Sequence, residues 1–333
     1  MRRKDVGLVV FGEVLCDLFA PRPGIPLADA SVLVPHLGGA PANVAVQAAR
    51  LGVQVGLVTA VGPDPFGERL RRLLVAEGVD LSGLVVMPGR RTGVTLVEVD
   101  GAGERTFFGF REASADLALT PKDVLGPASR RLLRSARICH SGTVSLRNDA
   151  SRDATEALQD AARANGALIS LDVNLRPGMY PSTTLLLERA SRALERADIV
   201  KATREEAALL CGSAGRRRGV RRLAAMLLER GPRLVVITDG DAPLCVATRQ
   251  HQVVLEAVPV KVVDATGAGD ACCGAVLTAL LGMNVVGPGG LDSLDEAQLF
   301  RLADVGRRAG AAAVRALGAT TGMLRRLPGR RRS

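Results

Sequence analysis

Asp264-Ala265-Thr266-Gly267-Ala268-Gly269-Asp270, followed at once by the apolar run Ala271-Cys272-Cys273-Gly274-Ala275-Val276-Leu277, is the most informative stretch of the chain. Two glycines just before a helix leave backbone N–H groups free and pointing outward, and the helix dipole adds partial positive charge at the same place. The result is an anion site. Asp270 falls in the first helical turn, where a carboxylate suits the dipole but repels a bound phosphate. These residues alone leave two readings open. Asp270 is a helix-start acid beside a flexible turn, or it is a base that takes a proton from a hydroxyl attacking a phosphoryl group held by the turn.

Two weaker polar points lie far upstream. Gly38-Gly39-Ala40-Pro41-Ala42-Asn43-Val44-Ala45 combines glycines that permit close backbone approach with an Asn in the first turns of an otherwise apolar helix. Asn43 either faces solvent or lies buried, where ligand hydroxyls can satisfy it. Asp17 follows the first apolar strand run. It is either a solvated loop acid or an acceptor for two vicinal hydroxyls.

Between these points the chain alternates strand-like and helix-like segments. Strands are predicted at 6–11, 55–61, 136–141, 167–173, 197–201 and 233–238. Helices are predicted at 41–51, 66–77, 121–134, 150–165, 183–195, 204–211 and 219–230. This rhythm argues for a parallel sheet covered by helices on both faces, an α/β fold. Thr92–Val99 and Arg105–Phe110 flank Asp100-Gly101-Ala102-Gly103 and read as a hairpin outside that rhythm. With residues 14–36 it is expected to form a small projecting sheet.

The composition bounds the rest. The 333 residues, 47% hydrophobic and 23% charged, suit one large packed core with a small appendage. The net charge of +10 is accounted for by ten arginines in two acid-free clusters. These are Arg216, Arg217, Arg218, Arg221 and Arg222, then Arg325, Arg326, Arg330, Arg331 and Arg332. The first falls at an expected exposed helix start and the second in a basic tail, 325–333. A nucleic-acid-binding fold carries its charge on the reading element instead, so no nucleic-acid partner is expected. Residues 271–291 lack charge, but Gly282, Asn284 and Gly287-Pro288-Gly289-Gly290 interrupt them, which argues for a core helix and a loop over a membrane span. The six cysteines form no CxxC pair and no secretory signal is readable, so reduced thiols in a cytoplasmic protein are expected. No HExxH, GxSxG, GxGxxG or Walker-A glycine–lysine pattern occurs.

Taken together and in order, these segments resemble the ribokinase-like (PfkB-type) carbohydrate kinase family over nearly the full length. One family signature matches Gly38–Leu51 with Val61-Gly62-Pro63-Asp64-Pro65-Phe66-Gly67, and the other matches Asp264–Gly274. Within the family the chain is most similar to fructokinases. The marks are Gly12-Glu13 with Asp17, Phe110-Arg111 ahead of Ser114-Ala115-Asp116, His140-Ser141-Gly142, and Asp172-Val173-Asn174-Leu175-Arg176-Pro177.

The resemblance implies a three-layer α/β/α sandwich, 1–333 as one kinase domain, and a β-sheet lid built from about 14–36 and 89–113. It implies transfer of the ATP γ-phosphate to a primary sugar hydroxyl, with Asp270 as base and Gly267, Ala268 and Gly269 as anion hole. Asp17, Gly38, Gly39, Asn43 and Arg111 would hold the sugar, although Arg111 also reads as a surface arginine. Asn174 and Arg176 would lie near the phosphates or orient their loop. Thr238 and Gly240 match the nucleotide-side strand end. Asp264 and Thr266 match a monovalent-cation loop, for potassium. Magnesium would bridge the ATP phosphates, with Glu206 acting through water. The family's Asn-x-x-Glu is here Thr203-Arg204-Glu205-Glu206, so threonine stands where asparagine is usual. Fructose is the expected acceptor. The alternatives are 2-keto-3-deoxygluconate or ribose, or a homologue that binds sugar or nucleotide with impaired transfer. A homodimer through the lid is also implied.

Overall fold

The computed structural model describes residues 6–327. In chain order the strands are β1 Leu8–Phe11, β2 Leu15–Phe19, β3 Val34–Gly38, β4 Val55–Val61, β5 Asp80–Val86, β6 Gly93–Val99, β7 Arg105–Phe110, β8 Ile138–Gly142, β9 Leu168–Asp172, β10 Ile199–Thr203, β11 Leu234–Asp239, β12 Ala242–Ala247 and β13 Gln252–Leu255. Nine of them form one sheet in the order β13-β12-β11-β10-β9-β8-β1-β4-β5. It is parallel from β5 to β11, and β12 and β13 add an antiparallel edge. The other four form a small sheet, β3-β2-β6-β7.

Alternation within the strands divides the core into two layers. Leu8, Val10, Ile138, Leu168 and Val236 pack toward the helices Ala40–Arg50, Ala268–Gly282 and Glu296–Ala313. Val9, Phe11, Cys139 and Ile169 face the other way, toward Pro127–Ser135 and Asp149–Ala164. Val200, Val235 and Ile237 do the same against Thr183–Arg196 and Val220–Leu228. Strands buried on both faces read as continuous apolar runs, which is why the parallel part was predictable.

Three elements depart from expectation. The helix predicted over 121–134 is two, Pro121–Val124 and Pro127–Ser135. Pro127 has no N–H to continue the first, and its fixed φ starts the second. Strand β5 and the pair β12–β13 carry no clean sequence signal. β5 and β13 are edge strands with half-exposed residues along most of their length, and β12 is half-exposed only at Ala242 and Pro243 before a buried end. The first arginine cluster lies exposed in the turn and opening residues around the start of Val220–Leu228. In the expected tail, Arg325 lies 3.9 Å from Glu77, and residues from 328 onward fall outside the described residues. No helix among the described residues is long and apolar enough to cross a membrane.

The helix Ala268–Gly282 positions the site. It is buried along most of its length and packs between Ala40–Arg50 and Glu296–Ala313. Small residues make that fit possible. A Cβ on Gly274 would stand 2.9 Å from Gln47 Cβ, and one on Gly306 would stand 2.9 Å from Cys272 Sγ. Close packing of Ala268–Gly282 against Ala40–Arg50 sets Asp270 beside Asn43, which are 227 residues apart in sequence.

Candidate active site

The carboxyl ends of β1, β9, β10 and β11 share one edge of the sheet. The strand order reverses at β1, and such a switch point opens a crevice in α/β sheets. The predicted residues fall into three clusters.

The first cluster surrounds Asp270. Asn43 donates from Nδ2 to Asp270 Oδ2 at 2.8 Å and is itself buried, so it is not the solvent-facing Asn that the sequence allowed. Asp17 and Glu13 are buried too. Chain crowding explains Gly38 and Gly39. A Cβ on Gly38 would lie 1.9 Å from Asp17 Oδ2, and Gly39 has φ +96° with its Cβ position 2.5 Å from the Glu13 carbonyl oxygen. Arg111 follows β7 and pairs with Asp116, both buried, which removes the surface-arginine reading. Within this pocket Glu13 Oε2, Asn43 Oδ1, Arg111 Nε and Asp116 Oδ1 are buried with no hydrogen-bond partner among the described residues. Buried polar atoms without partners are costly, and a polyhydroxy molecule satisfies donors and acceptors of this kind together.

Burial raises the proton affinity of these acids. Asp17 and Glu13 are both pushed up to about 7, with Arg111 partly offsetting the effect. Asp270 is pushed up to about 6 by burial and by the nearby Asp172 charge, against the Asn43 hydrogen bond, Lys201 and Arg176. For Asp17 and Glu13 the folded state holds its protons more tightly than the unfolded chain. Their contribution to stability is therefore full below about pH 4 and is lost as pH rises through about 7. Asp17→Asn is expected to raise the Tm of the free protein by about 2 °C or more at about pH 8, with the gain shrinking toward about pH 5. Calorimetric scans across that range check it, and a gain independent of pH would contradict the burial argument.

The second cluster is the glycine loop. Gly267 is left-handed, φ +80°, and starts the helix Ala268–Gly282. The N–H groups of Gly267 and Gly269 have no acceptor among the described residues. The Asp264 carboxylate closes the loop. Its Oδ1 accepts from Thr266 N at 2.8 Å and from Thr266 Oγ1 at 2.6 Å, and its Oδ2 accepts from Gly318 N at 2.8 Å.

The third cluster lies along β9–β11. Asn174 has φ +32°, a conformation that non-glycine residues adopt rarely. The next amide, Leu175 N, donates to Glu206 Oε1 at 2.8 Å, while Glu206 Oε2 accepts from Thr203 N at 2.8 Å. Thr203 Oγ1 accepts in return from Glu206 N, forming a capping box at the start of Arg204–Leu210. Glu206 thus ties that helix to the Asn174–Arg176 loop, where Arg176 is half-buried and bonded to its neighbour's carbonyl, Leu175 O. Thr238 pairs in register with Thr203 at the end of β11, and Gly240 follows, exposed.

The profile of the pfkB family carbohydrate kinases matches residues 7–326. The chain belongs to that family. This kinase is 34% identical over 314 residues to the fructokinase of Escherichia coli, covering 94% of this chain and 95% of that one. Its structure superposes on a fructokinase with bound ATP from Xylella fastidiosa with a TM-score of 0.84, at 30% identity over 95% of this chain and 94% of that one. A putative ribokinase II from Escherichia coli in its apo form gives 0.83 at 28% identity, with 96% of each chain covered. The sandwich is therefore the ribokinase-like one.

Four residues of the kinase's crevice received no role from sequence: Glu13, Asp116, Asp172 and Lys201. The first three lie inside the strings that carry the fructokinase resemblance. Lys201 had its own signal, a lone cation in the apolar strand Ile199-Val200-Lys201-Ala202.

Proposed function

We propose that this kinase transfers the γ-phosphoryl group of ATP to a primary hydroxyl of fructose. The observation that carries the reading is the Asn43–Asp270 contact. It sets a carboxylate of raised proton affinity between the free amides of the glycine loop and a pocket of unpartnered polar atoms. Asp17, Gly38, Gly39, Asn43 and Arg111 line the sugar side of the crevice. A primary hydroxyl seated there gives its proton to Asp270 as its oxygen meets phosphorus in line. Charge on the phosphoryl oxygens then faces the backbone N–H groups of Gly267, Ala268 and Gly269. The likeness to an ATP-bound fructokinase supports the donor. Asn174 and Arg176 flank its phosphates, and Thr203, Glu206, Thr238 and Gly240 border its path along the sheet edge.

Both Glu206 oxygens already accept backbone bonds, and no three His, Cys, Asp or Glu residues gather among the described residues as a metal site. This donor set fits magnesium carried by the nucleotide, with Glu206 meeting only its water. Such an ion neutralises phosphate charge when bound. Asp264 and Thr266 are bonded to each other in closing their loop, and these two residues would hold potassium there. Threonine in place of asparagine at 203 still caps Arg204–Leu210 through its side chain.

The small sheet is read as the lid over the sugar, excluding water that would otherwise compete for the phosphoryl group. Its hairpin turn reaches the glycine loop, where Gly103 O accepts from Ala265 N at 3.4 Å. The outer strand, β7, exposes Phe107, Phe108 and Phe110, a surface suited to a second copy in a homodimer.

An ADP-release panel over fructose, ribose, glucose, adenosine and 2-keto-3-deoxygluconate tests the substrate. Fructose is expected to give the highest kcat/KM. A higher value for any other member would move the assignment to it.

A further inference from the structure

Lys201 is one of four lysines in the chain, and only 5% of its surface is exposed. A buried ammonium is unfavourable unless it is paired. Its Nζ donates to Asp172 Oδ1 and Oδ2 at 3.1 and 3.2 Å. An ammonium has three protons, and no acceptor other than Asp172 stands within reach of Nζ among the described residues. Gly269 lies on the other side, where a Cβ would come 2.7 Å from Nζ. The missing side chain lets the cation stand directly beneath the first turn of Ala268–Gly282, one residue from Asp270. A pair serving burial alone has no reason to sit there, since apolar replacements of such pairs are often neutral or stabilising.

We propose that Lys201 is a positioning residue for phosphoryl transfer: held by Asp172 beneath Gly269, its ammonium adds fixed positive charge to the wall of the anion hole. The proposal rests on the kinase reading above. In the transfer, the bond from sugar oxygen to γ-phosphorus forms and the bond from γ-phosphorus to the β–γ bridging oxygen breaks. The hydroxyl proton goes to Asp270 and ADP leaves. Lys201 exchanges no proton in this step. Its charge acts through the backbone on the phosphoryl oxygens, in a site where water does not screen it. The charged groups facing Asp270 are Lys201 from β10, Asp172 from β9, Arg176 from the loop after β9, Arg105 from β7, Glu13 from the β1–β2 connection and Asp17 from β2. Lys201 and Asp172 act on it with opposite sign.

Lys201→Met alone would strand a buried Asp172, so the deciding variant is the double one, Lys201→Met with Asp172→Asn. Its folding is checked by near-ultraviolet circular dichroism. With the wild type's best sugar, kcat is expected to fall at least about 30-fold while the sugar KM stays within about twofold. A folded double variant with kcat within about threefold of wild type overturns the proposal, because the pair would then serve burial alone. Asp172→Asn by itself keeps the cation and removes a repelling charge, so the acid limb of its kcat/KM profile is expected to move to lower pH. Movement to higher pH contradicts the arrangement.

Calorimetry separates this proposal from the substrate reading. The double variant is expected to weaken a non-hydrolysable ATP analogue at least about fivefold and ADP less than about twofold. Equal loss for both ligands, or none for either, overturns the role of Lys201 even if the wild type phosphorylates no sugar in the panel. Turnover of a sugar other than fructose moves only the substrate assignment.

Discussion

Replacing Asp270 with Asn is expected to lower kcat about 10³-fold while leaving sugar and nucleotide affinities within about threefold. Asparagine keeps the size of the side chain and its hydrogen-bonding to Asn43 through a flipped amide, so the fold and the pocket stay. It loses the capacity to hold a proton. A general base contributes about 10² to 10⁴, and a site that keeps its anion hole sits inside that range. The wild-type profile supplies a second check. Asp270 must be ionised to act, and burial places its pKa at about 6. The kcat/KM of the wild type is therefore expected to fall as pH drops through about 6, and the residual kcat/KM of Asp270→Asn should lack that limb. A variant keeping a tenth of wild-type kcat would move the base to another residue.

Gly267→Ala is expected to lower kcat about 10²-fold and to lower Tm by several degrees. Two effects add. Gly267 has φ +80°, where any Cβ meets strain of about 1–2 kcal/mol. The Cβ position also lies 2.5 Å from Ala319 O and 2.8 Å from Ala319 Cα, which are backbone atoms that cannot swing aside as a side-chain end can. The loop must move, and its amides move with it. Gly166 provides the control. Its φ is +84°, but a Cβ there meets nothing within 4 Å, and it lies in the turn before β9 at the strand's amino end, away from the crevice. Gly166→Ala is expected to cost stability through strain alone and to keep kcat. Equal activities for the two variants would break the link between the glycine loop and catalysis.

The parallel core was legible because its strands are apolar on both faces and its helices carry clear apolar stripes. The hairpin of β6 and β7 announced itself through Asp100-Gly101-Ala102-Gly103. What stayed hidden were pairings that depend on distant chain. Asn43 could be read as buried or exposed until Ala268–Gly282 was seen packed against its helix. Asp264 looked like a cation ligand by resemblance, and only the fold shows its carboxylate holding Thr266 and the Gly318 amide. Glu206 reads, through the resemblance, as an acid acting on magnesium through water, and the fold adds that its oxygens accept from Thr203 N and Leu175 N. Each of these bonds spans either a turn whose geometry the sequence leaves free or a gap of 31 to 227 residues. The +10 charge was informative only by its location. Its ten arginines lie outside the segments that carry the family resemblance.

The most direct measurement is carbon-13 NMR of the product formed from fructose, ATP and magnesium by the wild-type kinase. The account predicts one phosphorylated sugar per ADP released, with phosphorus coupling on a primary carbon. ADP release without a phosphorylated sugar, or phosphorus coupled to a secondary carbon, would contradict it.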